Sequence, residues 1–401
     1  MRYRLQTFAV LASSIILAAG CSSTIDGNPQ PGMSPVDPAI LKTGALATEP
    51  TAYNPRITSA NDVRFIEARR MLNYLVHPFD VDSDITDMGY VKLIATPLSM
   101  VNPGAFPEKY QVVGEKYNVL AGAYVSRTNG NLRGTKKLII SILRFPTETD
   151  SRNAAEEFDR ITNEEPGRHP VPIDGYPDAK STSGNDLAAI AFLQHGPYVI
   201  SANAGVPEPN KDALASVLKK TIDRQIAELD KQQPVPLDDL LDLPLDPDGI
   251  MRRAAPSAKD YSDPFFGRDD FGHYQPSGIL HFERNPIEVR RAFEEGGVDL
   301  IGRQSGTVYR TRDLPSAFRL QAALAKPAKN DEVVAPPPGL ADTRCLKLDY
   351  RDVNRLNKGL CVIVYDRYVA VVVSKFPEIS RVDPQLLERA AAQYSILAKS
   401  G

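Results

Sequence analysis

Two stretches of this chain read in the same order. "IAFLQHGPYVISANAGVPEPNKDALASVLKKTIDRQIAEL" runs strand, tight turn, strand, proline-bearing loop and long helix, and "CVIVYDRYVAVVVSKFPEISRVDPQLLERAAAQYSILAK" repeats that sequence of elements. Upstream of each lies another matching step: "KKLIISILRFP" passes into "TETDSRNAAEEFDRI" much as "VDLIGRQSG" passes into "TVYRTRDLPSAFRLQAAL". Identity between the two halves is low, so the argument rests on pattern, and a replayed pattern predicts a replayed architecture. The expected fold is α+β, with two similar domains. Each is an antiparallel sheet of strand-helix-strand-strand-helix order, an internal duplication, with its hairpins covered by helices on one face.

Further signals fill in the first domain. "NDVRFIEARRMLNYLV" has Phe65, Ala68, Leu72 and Leu75 at helical spacing, with Asn61 or Asp62 available as cap and His77-Pro78 as the stop. "NVLAGAYVS" and "KKLIISILRF" read as strands, and Leu214, Leu218, Ile222, Ile226 and Leu229 mark one face of the long helix. The segment "PVPLDDLLDLPLDPDG" combines four prolines with five aspartates, which denies a helix its interior hydrogen bonds and sets like charges against one another. It reads as a linker docked through its leucines. The boundaries are therefore 46–233 for the N-terminal domain, 234–259 for the linker and 260–401 for the C-terminal domain. In the latter, "LCVIVYDRYVAVVVSK" is almost continuously apolar, as suits a central strand pair buried on both faces.

The front of the chain has a different character. Arg2 and Arg4 precede twelve residues, Phe8 to Ala19, that are apolar except for Ser13 and Ser14, and Ala18-Ala19-Gly20 then leads to Cys21. That is the build of a secretory leader, residues 1–20. A spanning helix needs about 20 apolar residues to cross roughly 30 Å of hydrocarbon, so this run is too short to be one. The junction resembles the lipobox of bacterial lipoproteins, in which the cysteine is acylated and becomes the first mature residue. It departs from the usual form in having Ala18 where leucine is commoner and Leu17 one place earlier. Cys21 is thus the expected lipidation site, and two or more acyl chains anchor a protein stably. Residues 21–45, "SSTIDGNPQPGMSPVDP" at their centre, have the composition of a flexible tether. These features place the folded body outside the cytoplasm, on the outer face of the cell membrane, with the membrane as a partner through the anchor.

Charge and cysteine content narrow the reading. The formal charge is −3 and becomes more negative once Arg2 and Arg4 leave; no cluster of cations survives to neutralise a row of phosphates. Nucleic acid is therefore excluded as a partner. Cys345 and Cys361 remain, in a compartment where disulfides persist. Extended runs flank the turn-rich "RDVNRLNKG" between them, so neighbouring strands would bring the thiols together. Closing such a loop stabilises by about 3 kcal/mol in the chain-entropy picture.

The chain resembles a family of actinobacterial lipoproteins of unknown function. The resembling stretches are "LAAGCSSTIDG", "DVRFIEARRMLNYLVHPFDVDSDIT", "GILHFERNPIEVRRAFEEGGVDLIGRQSGTVYRTRD" and "CVIVYDRYVAVVV". The resemblance implies a two-domain, lipid-anchored envelope protein whose two late cysteines pair. It brings no activity, ligand or catalytic residue with it.

Chemistry is harder to find. No G-x-S-x-G, H-E-x-x-H, phosphate loop or dinucleotide fingerprint occurs, and the five histidines are scattered. Asp80, Asp82 and Asp84 alternate as in a calcium loop, but the sixth and twelfth places hold Ile85 and Val91 where a sharp turn and a bidentate acid belong. They read as an acidic solvated loop. In "ILHFER", His281 and Glu283 stand two apart, hence on one face of an expected strand, a placement able to share a proton or a metal. With no third group visible they read as a surface pair. Arg69 and Arg70 are adjacent on a helix and point about 100° apart, so they do not form one anion clamp. No cofactor is expected. The reading is a non-enzymatic binding module holding a small ligand or envelope partner between its domains. The alternatives are an envelope hydrolase whose residues meet only in three dimensions, or a structural or regulatory partner of another envelope protein.

Overall fold

The computed structural model describes residues 35–102, 104–258, 270–377 and 380–401. The leader, Cys21 and the first part of the tether lie outside the described residues. The first half runs α1 (Ala60–Met71), α2 (Pro78–Val81), β1 (Asp87–Ile94), α3 (Pro97–Val101), α4 (Gln111–Lys116), β2 (Ala121–Thr128) and β3 (Lys137–Arg144). It continues with α5 (Glu148–Asn163), β4 (His169–Pro170), β5 (Lys180–Ser183), β6 (Ala188–His195), β7 (Tyr198–Gly205) and α6 (Lys211–Leu229). The second half opens with β8 (Gly272–Tyr274), α7 (Pro276–Leu280), α8 (Pro286–Gly296), β9 (Leu300–Arg303) and β10 (Thr307–Arg310). After these come α9 (Leu314–Leu324), β11 (Glu332–Val334), β12 (Arg344–Lys347), β13 (Gly359–Tyr365), β14 (Tyr368–Ser374) and α10 (Pro384–Ala398).

The fold is α+β, with two seven-stranded antiparallel sheets. The first has the order β1-β2-β3-β7-β6-β5-β4 and the second β8-β9-β10-β14-β13-β12-β11. Counted within its own half, each sheet therefore reads first, second, third, seventh, sixth, fifth, fourth. The repeated pattern in the sequence is a repeated topology. Both central hairpins also turn alike: His195 pairs with Tyr198 and Tyr365 with Tyr368, across two-residue loops. The first loop residue takes a positive φ in each, Gly196 at 54° and Asp366 at 50°. Glycine adopts that conformation without steric cost and aspartate tolerates it.

Helices cover both faces of each sheet, whereas one covered face was expected. In the first half, Tyr124, Leu143, Phe192 and Val199 face outward onto Ala154, Phe158 and Ile161 of α5. Their sequence neighbours Ala123, Ile142, Ala191 and Ile200 face inward toward Leu214, Leu218 and Ile222 of α6. The reason is visible in β3, "KLIISILR", where apolar residues occupy successive positions and strand geometry sends them to opposite sides. The hairpin β13–β14 is buried on both faces, as its continuous apolar run predicts. Ile363, Ala370 and Val372 meet Leu386, Ala390 and Tyr394 of α10, and Val362, Val364 and Val371 look toward α8 and α9. One inner core thus contains residues of both halves, flanked by one outer core on each side. The described residues belong to one compact unit.

Cys345 and Cys361 are direct partners across β12 and β13 and are joined as a disulfide. The ends of the expected tether and linker are more ordered than their composition suggests. Val36 and Leu41 of the tether, and Tyr53 from the start of the expected N-terminal domain, pack against the outer core of the second half. The Val36 N–H donates to the Tyr394 hydroxyl at 2.9 Å, and Lys399 pairs with Glu49. In the linker Leu240 is buried, and Ile250, Met251 and Ala254 already belong to the outer core of the second half. A few apolar residues at suitable intervals are enough to dock an otherwise polar segment.

Candidate functional site

The two halves are joined by buried polar contacts as well as by the shared core. Arg127 of β2 has no solvent exposure. Its guanidinium donates to the carbonyl oxygens of Thr86 at 2.7 Å, His281 at 2.9 Å and Glu283 at 3.0 Å, so a side chain of the first half satisfies the backbone of the second. Burial lowers its pKa to about 10, against the pull of Glu283. Glu283 in turn accepts from the Tyr309 hydroxyl at 2.6 Å and from Arg355 at 3.5 Å. Asn354 reaches β1 at its bulge, accepting from the Val91 N–H at 2.8 Å and donating to the Gly89 carbonyl at 3.1 Å.

These positions revise the reading of "ILHFER". Pro276 starts the short helix α7, and His281 and Phe282 form the turn that follows it, so His281 and Glu283 share no strand face. A proline at the first helical position sets a helical φ and ends the alternation that the sequence suggested. His281 is fully buried and its Nε2–H donates to the carbonyls of Leu72 at 3.2 Å and Leu75 at 3.1 Å. Glu283 points into the Tyr309–Arg355 network. His281 fastens the two halves through its side chain, whereas Glu283 does so only through its backbone carbonyl, which accepts from Arg127.

The acidic triplet is also engaged. Asp80 is held by Arg290 of α8 through two contacts, at 2.5 and 2.9 Å, and Asp82 and Asp84 both receive Lys136, at 3.0 and 2.8 Å. Among the described residues no group of three or more metal-ligating side chains converges.

Among the cavities that the described residues of the two halves enclose, two hold polar groups of interest. The larger, about 700 Å³, is bounded by residues 51–58, by Phe65, Ile66, Arg69 and Arg70 of α1, and by Phe271 to His273 at the start of the second sheet. Helix α1 is aimed by its start: the Asp62 carboxylate accepts from the N–H groups of Thr58 and Ser59, each at 2.8 Å, so Ser59 is the cap and Asp62 the third helical residue. Glu67, buried beneath, holds Arg70 at 3.0 Å and Arg144 at 2.7 Å and so fixes the rotation of the helix. Arg69 and Arg70 consequently border the same cleft despite their divergence along the helix. Gly272 allows this: a Cβ there would sit 2.6 Å from Arg69 Nε. His273 is kept neutral by burial, although the Leu245 carbonyl favours its charged form.

The smaller cavity, about 360 Å³, holds Ser277 and His77. The Ser277 hydroxyl is 3.4 Å from His77 Nε2, an approach of a hydroxyl to an imidazole. His77 lies against His281 with its ring tilted by 31°, and its Nδ1 has no partner among the described residues. Among the described residues no carboxylate accepts from that side to orient the imidazole.

Residues 55–245 match the model of the domain of unknown function DUF7373, N-terminal part, and residues 250–400 match its C-terminal part. The chain belongs to the DUF7373 family. The two matched segments meet at the linker between the sheets. None of the curated proteins compared with this DUF7373 chain is significantly similar to it. Among solved structures, the extracellular domain of PknH from Mycobacterium tuberculosis is similar at 10% identity and a TM-score of 0.28, over 40% of this chain and 94% of that one. No helix among the described residues is long and apolar enough to cross a membrane.

Proposed function

We propose that the protein is a lipid-anchored cell-envelope binding module, held by acylated Cys21 on the outer face of the membrane, that takes a small ligand or an envelope partner into the cleft between its halves. The observation carrying this reading is the cleft of about 700 Å³ with walls from both halves. That volume is in the range of small-molecule sites, and junctions between domains are where such sites concentrate. The anchor rests on the Leu17 to Cys21 junction, and the intact mass of the membrane-extracted protein tests it. Acylation adds the mass of the lipid to a chain beginning at Cys21; a retained Met1 or an unmodified cysteine refutes it.

Binding is tested by native mass spectrometry of the protein purified from its own envelope. Ser257 is exposed at the cleft, so Ser257→Trp should obstruct it at the cost of one long hydrogen bond, 3.4 Å, from the Ser305 hydroxyl. A co-purifying mass present in the parent and lost from the variant supports the proposal. Identical spectra from the two proteins refute it.

A second reading, an envelope hydrolase, is favoured by the proximity of Ser277 and His77. It is the weaker of the two, because His77 is desolvated and lacks an orienting acceptor.

A further inference from the structure

We infer that residues 47–57 are a gate: an extended strap that forms one wall of the cleft, is latched by Tyr53, and lifts off the body as a unit to admit what the cleft takes up. The inference rests on the cleft being a binding site and adds how it is entered.

The strap has the shape of a strand without a strand's bonds. It lies in neither helix nor sheet, yet Tyr53, Pro55 and Ile57 are half-buried while Ala52, Asn54, Arg56 and Thr58 are exposed. That is the two-residue period of extended backbone lying along a surface. A strand so placed would be tied by a ladder. Among the described residues, no backbone group of residues 47–57 makes a hydrogen bond, and Pro50 and Pro55 have no N–H to give. Its polar contacts come from two side chains: Glu49 pairs with Lys399 at the surface, and the Tyr53 hydroxyl donates to the Phe271 carbonyl at 3.5 Å. An exposed ion pair contributes little, and 3.5 Å is at the outer limit of a hydrogen bond.

The ends of the strap are held far better than its middle. Upstream, Val36 and Leu41 dock on the outer core of the second half. Downstream, the Asp62 carboxylate fixes Thr58 and Ser59 at the start of α1. The rest of the cleft wall is regular structure, α1 and the start of β8, so the strap is the part able to move. Lifting it breaks side-chain packing and no ladder, which places it among the segments of low local stability from which lids are drawn. Tyr53 makes the largest of those contacts, since it also packs against the outer core of the second half. A ligand in such a cleft is mostly enclosed, so a wall must open for it to enter.

The test is native-state proteolysis of the full-length protein in membranes. Trypsin needs a detached, extended stretch, so it cuts after the exposed Arg56 when the strap is off the body, and mass spectrometry reads the fragment ends. The expected rate lies well below that of a free peptide spanning residues 47–60 and is unchanged by urea below the unfolding transition, as opening without loss of the core requires. Tyr53→Ala should speed cutting about tenfold or more. Tyr53→Phe should keep most of the protection, because the ring holds the strap more than the long hydrogen bond does. Native mass spectrometry then follows any mass that co-purifies with the parent, which Tyr53→Ala should lose about tenfold faster on dilution. Cutting at the free-peptide rate, cutting that rises with urea in step with global unfolding, or a rate unmoved by Tyr53→Ala each overturn the inference. Faster cutting of Tyr53→Ala without faster loss of the mass overturns the gate and leaves the cleft a binding site. Absence of any co-purifying mass from the parent overturns the binding reading itself, whatever the cutting rates.

Discussion

The imidazoles of His77 and His281 lie with ring centroids 4.0 Å apart and planes tilted by 31°, one from each half of the molecule. Both are buried, and neither Nδ1 has a partner among the described residues. Arg127 and Arg290 stand nearby, and both disfavour a proton on the rings. Burial, then Arg127, bring the His281 pKa from 6.5 to about 3. Between those values the unfolded chain binds a proton that the folded chain refuses. Stability is therefore complete above pH 6.5 and falls as pH drops toward 3, at up to about 1.4 kcal/mol per pH unit for this one group. Urea unfolding at pH 7 and pH 4.5 should show the loss, and His281→Gln should reduce it, with His77, whose pKa burial also lowers well below 6.5, carrying the remainder. A pH dependence unchanged by that substitution would remove His281 as its source.

Arg127→Met should cost about 3 to 5 kcal/mol. The substitution leaves two buried carbonyl oxygens and one partly buried one without their donor, and loss of one partner from a buried polar contact costs more than the contact contributes on its own. Because those carbonyls lie in both halves, denaturant melts of the variant should separate into two transitions. A single transition with an unchanged midpoint would show that Arg127 does not couple the halves.

Removing the Cys345–Cys361 bridge by a double alanine substitution should lower stability by about 2 to 4 kcal/mol while leaving the circular dichroism spectrum unchanged. Thiol counting checks the premise, since the native protein should titrate no free thiol at these two positions until it is unfolded in reductant.

Ser277 should not react with a fluorophosphonate probe. Its hydroxyl meets His77 at the long distance of 3.4 Å, and no carboxylate holds that imidazole in a catalytic orientation. Labelling of the parent that disappears in Ser277→Ala would instead favour the hydrolase reading.

Strand and helix positions were legible wherever apolar periodicity was strong, as in "KKLIISILRF", α5, α6 and the hairpin around Asp366. The repeated order of elements even conveyed topology, because two hairpins with the same spacing fold against the same neighbours. What escaped was long-range and polar. Nothing local announces that Arg127 will meet the carbonyls of His281 and Glu283, more than 150 positions away. "ILHFER" alternates like a strand, yet Pro276 had already started a helix and the next residues only close it. The cleft was anticipated as a gap between domains, but its walls were not. Arg69 and Arg70 looked divergent on a helical projection, which cannot show that β8 and residues 51–58 approach the helix from two sides.

The contact between Val36 and Tyr394 joins positions 358 residues apart. A ribosome emits Val36 long before α10 exists, so this early segment must wait without its permanent neighbour throughout the synthesis of both sheets. Closure of the outer layer of the second half is consequently a late event in maturation, and a chain truncated before α10 would leave the stretch leading into the cleft wall undocked.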